Sequence, residues 1–245
     1  MCFNAAASFA ASAVLIPAGL HTIRIAGEAD ARWLPLAAFP LLFGIQQALE
    51  GVLWLTLGDP LGRIVGVPPP AVGPLMALGF LGFAYVLWPT LVPLAARGIE
   101  PRPRRRLLFA ALAVLGATSG LVIYLPLLVQ PDWLEVGILG GSILYAPKIL
   151  LPTALSEPLG RGLYALVVLV PLLVSSVPLA RRFGLLILIS VVVSAMAYAY
   201  AFVSVWCFFA AVLSAWLGVQ LPERLAETAR QNGLVEPKAS LFGAG

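Results

Sequence analysis

From Phe183 to Leu221 the chain runs for 39 residues without one Asp, Glu, Lys or Arg. As a single helix this stretch would be about 60 Å long at 1.5 Å per residue, roughly twice the hydrocarbon thickness of a bilayer. It therefore has to cross twice, and the pair Tyr198 and Tyr200, suited to an interface, predicts the break near Tyr198–Phe202. The whole chain shares this character: 61% of its residues are hydrophobic and 11% charged, against about 25% charged in soluble domains. Eleven acids and fifteen bases cannot give 245 residues a polar exterior, so lipid is the solvent.

Reading for further uncharged runs predicts an all-α, polytopic bundle of seven transmembrane helices. The spans fall near Ala5–Ile23, Leu34–Leu57, Val72–Ala96, Leu107–Val129, Gly162–Ala180, Phe183–Ala201 and Phe202–Leu221, making residues 1–221 one membrane domain and 222–245 a polar tail. Within the tail, Glu223–Gln231 is a candidate short helix. Charge decides between this count and an eighth span at Gly137–Leu155. With seven spans and the N-terminus outside, the inner segments hold Arg24, Arg32, Arg97, Arg102, Arg104, Arg105, Arg106, Arg181, Arg182, Arg224, Arg230 and Lys238, and the outer ones only Arg63, Lys148 and Arg161. That asymmetry is what the positive-inside rule requires. An eighth span would nearly equalise the two sides and strand Lys148 in lipid. Gly137–Leu155 is thus expected to be an outer loop, re-entrant or packed into the bundle mouth, because irregular backbone is not tolerated against lipid. A bacterial cytoplasmic membrane is the expected location, with the tail cytoplasmic. A cleavable leader is not expected, since no Lys or Arg precedes Arg24.

Several function classes fall away. The basic residues cluster at membrane flanks instead of forming a soluble face, so nucleic acid is not an expected partner. Two cysteines and one histidine, His21, supply no disulfide framework and no multi-imidazole metal centre. Serines 175, 176, 190, 194, 204 and 214 have no His–acid pair at matching depth, so hydrolase chemistry lacks a catalytic set. No lysine in the last span offers a retinal Schiff base.

What remains points to one place. Glu50 is an acid inside a span, and such residues face the bundle interior because leaving them in lipid costs about 2.5–3.5 kcal/mol even on the lenient insertion scale. Gln46, Glu50 and Trp54 recur at i, i+4 and i+8, and Gln47 lies three before Glu50, so the four share a helix face. The second span runs outward, which puts Glu50 in the outer half of the membrane. Two readings compete: a proton- or cation-binding group lining a cavity, or a polar residue that locks helices together. Lys148 is the natural counter-charge if the outer loop folds into the mouth; otherwise it is a solvated loop lysine. Cys2 and Cys207 are both expected near the outer face on the first and last helices, as a thiol pair within bonding reach or as two independent thiols. Gly116 and Gly120 form a small-residue pair for close helix packing. Arg102-Pro-Arg-Arg-Arg106 sets topology or meets anionic headgroups.

Met1-Cys2-Phe3-Asn4-Ala5, the segment Phe43-Gly-Ile-Gln46-Gln47-Ala-Leu-Glu50-Gly51-Val-Leu-Trp54, Trp88-Pro89 and Ser204-Val-Trp-Cys-Phe-Phe-Ala-Ala211 together resemble an uncharacterised bacterial family of seven-helix membrane proteins. The resemblance covers Met1 to about Ser214, and matches the family pattern at Cys2, Gln47, Glu50, Trp54 and Cys207. Asn4 stands where the family has serine, and Lys148 where it has histidine. No activity or cofactor comes with it. The expectation is an integral membrane protein with an outward-facing pocket around Glu50 for a small ligand or ion; the alternatives are an accessory subunit of a membrane complex and a membrane-embedded enzyme. Ligand, oligomeric state and cofactor stay open.

Overall fold

The computed structural model describes residues 4–148, 153–197 and 202–231. Helix α1 (Ala5–Ala29) leads through a 3-10 turn at Ala31–Trp33 into α2 (Leu34–Ala37) and α3 (Phe39–Thr56). A one-turn helix, α4 (Gly62–Val65), precedes α5 (Val72–Leu81), a π turn at Gly82–Leu87 and α6 (Trp88–Ile99). Then follow α7 (Pro103–Val129), strands β1 (Leu134–Leu139) and β2 (Ser142–Pro147), α8 (Thr153–Val174), α9 (Pro178–Ala197) and α10 (Phe202–Gln231).

Six of the described helical stretches are long and apolar enough to cross a membrane: Ala5–Ala29, Ala31–Thr56, Val72–Ile99, Pro103–Val129, Pro178–Ala197 and Phe202–Ala226. Leu159–Val174 within α8 is a shorter apolar helix. Large apolar side chains such as Val14, Leu107, Val122, Ile189 and Met196 are exposed along these rods, which is the surface of a chain solvated by lipid. The molecule is a helical, polytopic membrane protein.

Two ends of the bundle differ in chemistry. At one, Arg97, Arg102, Arg104, Arg105 and Arg106 flank the α6–α7 connection, and Glu100 there accepts hydrogen bonds from Ser175 Oγ (3.1 Å) and Ser176 N (2.7 Å), which places the α8–α9 turn and Arg181–Arg182 beside them. At the other lies the hairpin. Within the stretch expected as an outer loop, the described residues 137–147 belong to a hairpin: β1 and β2 pair antiparallel from Leu134↔Pro147 to Leu139↔Ser142, joined by Gly140 and Gly141 at φ 57° and 75°. Two successive positive φ values are what a two-residue type I′ turn demands, and glycine meets them without strain. Backbone pairing inside the hairpin satisfies the polar groups that an irregular loop would leave exposed. Its inner face, Ile143 and Tyr145, is buried, with Tyr145 stacked on Phe80 at 4.9 Å.

The break expected at Arg181–Arg182 lies earlier. Helix α8 ends at Val174 and α9 begins at Pro178, with both arginines within its first two turns. Pro178 has no N–H to continue the α8 ladder, and Ser175 Oγ accepts from Val177 N (3.1 Å) to turn the chain. The last helix runs through Pro222 to Gln231 without interruption, absorbing the separate short helix expected in the tail.

Close packing follows the small residues. A Cβ on Gly19 would overlap the backbone of Leu41, and one on Gly44 would come within 3.0 Å of Ile16, so α1 and α3 touch nearly backbone to backbone. The Gly116/Gly120 pair works similarly against the π turn and α6. Pro89 and Pro93 lack the N–H groups that would bond Tyr85 O and Pro89 O. The carbonyls of Tyr85 and Pro89 are the ones that a Cβ on Gly120 and Gly116, respectively, would strike, so the glycine Cα–H groups sit where they can contact them. Tyr124 Oη donates to Leu78 O (3.0 Å) and Thr90 Oγ1 to Val86 O (2.7 Å), covering further carbonyls around the π turn.

Candidate functional site

Eleven of the eighteen residues of α3 are buried, the polar Gln46, Gln47 and Glu50 among them. Glu50 is 2% exposed and both glutamines are fully buried. Glu50 lies six residues before the end of the helix, about 9 Å by helical rise, in the half nearer the hairpin. It does face the interior. Ser204 Oγ of α10 donates to Glu50 Oε1 at 2.6 Å, and Gln47 Nε2 donates to Oε2 at 3.3 Å. One turn along, Gln46 Oε1 accepts from the Trp88 indole of α6 at 2.8 Å. The expected helix face is thus realised, and its polar groups bridge α3 to both α6 and α10.

The surrounding groups are not all satisfied. Among the described residues, Gln46 Nε2, Gln47 Oε1 and the indole N–H groups of Trp54 and Trp206 are buried with no hydrogen-bond partner. Most buried polar groups in folded proteins are paired, so the orphans on Gln46, Gln47 and Trp54, which share a helix with the Glu50 carboxyl, mark the site. No Lys, Arg or His among the described residues pairs with Glu50.

Lys148 does not supply that charge. Its ammonium pairs with Glu135 Oε1 at 3.2 Å, with both side chains largely exposed. Lys148 N donates to Trp133 O (2.7 Å), extending the ladder past the strand end. Glu135 faces Ala146 in the register, so Lys148 is its diagonal neighbour. Pairing in water spares the ammonium the desolvation that reaching Glu50 would cost. Cys207 is buried one turn beyond Ser204, whereas Cys2 lies outside the described residues. Trp54, Trp88 and Trp206 are buried and belong to the interior, not to an interfacial belt.

Beside the polar cluster is a cavity of about 30 Å³. Aromatic rings of α3, α6, α8, α9 and α10 make up half of its lining residues, Phe43, Trp88, Tyr164, Phe183 and Trp206 among them, and Cys207 also lines it. Phe43 and Trp88 stack at 3.8 Å, and Tyr164 meets Trp206 edge-on at 4.9 Å. Glu50 does not line the cavity; it connects to the wall through Ser204, two residues before Trp206, and along α3 through Gln46, which is bonded to Trp88.

Three further polar residues carry structural weight, and two of them, Asp59 and Glu100, were not singled out in the sequence. Asp59 accepts from Ala5 N (3.0 Å) and Leu61 N (2.9 Å), placing a carboxylate at the α1 N-terminus, where the helix dipole favours negative charge. Asn4 completes that cap by accepting from Ala7 N (2.9 Å); Asn and Ser are equally good caps, so the departure at Asn4 is physically silent. At the arginine end, burial pushes the Glu100 carboxyl up, but hydrogen bonds from Ser176, Arg102 and Ser175 outweigh it and hold the group below its ordinary value of 4.5. Arg105 Nη1 donates to Ser176 Oγ (2.9 Å) in the same cluster.

Taken together, fold and site define a polytopic helical membrane protein built around a buried carboxyl that no cation pairs with among the described residues. The chain belongs to a family of unknown function, DUF6629, whose model matches residues 1–231. No curated protein and no solved structure matches it.

Proposed function

We propose that the chain is a seven-crossing protein of the bacterial cytoplasmic membrane, N-terminus outside and tail inside, that binds or transports a small ligand or ion at Glu50. The seventh crossing is α8. The hairpin before it and the Glu100–Ser176 contact after it lie at opposite ends of the bundle, so this segment has to return the full height that α7 climbs. Residues 1–221 then form the membrane domain, with the arginine end facing the cytoplasm.

The observation that carries the site is the carboxyl itself. An ionised group buried without a counter-charge costs several kcal/mol, so its charge has to be balanced by a proton or by a bound cation, and exchange of either is a function. Trp54, Trp88 and Trp206 surround the cluster and make intrinsic fluorescence a direct reporter. In lipid nanodiscs, wild type should show a fluorescence change on titrating pH or monovalent cations that Glu50→Gln lacks, with thermal stability preserved. If Glu50 only joins α3 to α10, as in an accessory subunit, both proteins will titrate alike.

A further inference from the structure

Resting on the reading of Glu50 as a binding site, we propose that its ligand is a small uncharged hydrogen-bond acceptor, a carbonyl compound of about four heavy atoms or fewer, and not a bare cation. The orphaned groups have a direction. An indole N–H can only donate, so Trp54 and Trp206 each offer a donor whatever the protonation around them. Gln46 is fixed as well: its Oε1 is taken by the Trp88 indole, another obligate donor, which leaves Nε2 and its two hydrogens unused. Only Gln47 is reversible, because its amide can turn to meet either form of the Glu50 carboxyl. Three donors are fixed by chemistry against one adjustable acceptor, a bias towards an oxygen-bearing ligand; of the residues that bear them, Trp206 lines the cavity. A metal cation requires the reverse, a shell of oxygen ligands.

Size and walls narrow the class. One water needs about 10–15 Å³ of such space, so a cavity of about 30 Å³ takes a molecule of a few heavy atoms. Its walls are almost wholly apolar and aromatic, which penalises a net charge and accepts the flat face of an amide or similar carbonyl. Trp206 lines the cavity and has its N–H spare, and Gln46 is held against the lining Trp88. An uncharged ligand leaves the balancing of Glu50 to a proton.

The test titrates the full chain in nanodiscs with formamide, acetamide and urea, and separately with sodium, potassium and methylammonium, reading tryptophan fluorescence. The expected result is saturable binding of at least one neutral carbonyl probe. Trp206→Phe, which keeps a ring but loses the N–H, should weaken it about tenfold, the usual worth of one hydrogen bond. Trp54→Phe is the second variant should Trp206→Phe fail to fold. Saturable binding of a cation, abolished by Glu50→Gln while the carbonyl probes stay silent, would overturn this inference and leave the binding site standing. Silence of every probe, together with a pH response indistinguishable from Glu50→Gln, would overturn both. Carbonyl binding that both tryptophan variants leave unchanged would refute the donor assignment.

Discussion

Glu50 and Glu100 are two buried acids solved in opposite ways. Glu100 sits in a connection, where backbone N–H groups of Arg102 and Ser176 are free to donate to it; Glu50 sits mid-helix, where backbone donors are spent on the ladder and only side chains remain. The consequence for Glu100 has a sign. A carboxyl held below its unfolded value contributes stability that is complete above about pH 4.5 and lost as pH falls through the lower folded value. Glu100→Gln should therefore flatten the acid limb of a thermal-stability profile between pH 5 and 3, as a rough window, while Glu50→Gln should not remove it. An unchanged limb in Glu100→Gln would place that titration elsewhere. Ser175→Ala removes one hydrogen bond to a charged group and should cost about 1.5–3 kcal/mol at neutral pH. Ser204→Ala should alter the fluorescence response of the Glu50 site, since Ser204 is its closest partner.

Among the elements, the broken helix α5–π–α6 and its partner α7 show the closest agreement between sequence signals and packing. Prolines at 89 and 93 stand one turn after the carbonyls of Tyr85 and Pro89, and glycines at 116 and 120 let the facing helix approach those carbonyls. Gly116→Val or Gly120→Val should force the helices apart and destabilise the fold by about 1–3 kcal/mol; Gly160→Ala, with nothing within 4 Å of an added Cβ, is the neutral control. Equal melting temperatures for all three would contradict this packing. Much of this was legible beforehand. Charge-free length locates the six long apolar helices, the glycine pair marks a close contact, and the i, i+4 spacing from Gln46 to Trp54 puts those residues on one buried face. The hairpin was not legible as such, because apolar residues broken by Gly140–Gly141 and Pro147 fit an outer loop as well as two strands, and periodicity over so short a run cannot separate them. Lys148 went astray for the same reason: without the register, its diagonal neighbour Glu135 carries no signal. Ser204 and Trp88 are partners across helices, a relation that no spacing within one helix encodes.

The whole molecule is polarised, with arginines gathered around Glu100 at one end and the hairpin over the other. A reporter that works on one side of the membrane, inserted in the Gly140–Gly141 turn, should report outside, and the same reporter after Gly245 should report the cytoplasm. Agreement of the two on one side would reverse the parity of the crossings. That polarity sets how Glu50 is reached. The buried hairpin face made by Ile143 and Tyr145 packs in one apolar cluster with Trp54 and Cys207, so any route from the hairpin end passes the hairpin or the gaps between helices. The decisive measurement is a density map of the full chain in a lipid nanodisc, read beside Glu50. The expected result is compact non-protein density between α3, α6 and α10, within hydrogen-bond reach of Gln46 or Trp206, with Glu50 turned inward from the hairpin half. Side chains closed over that space with no such density, or Glu50 turned toward lipid, would contradict it.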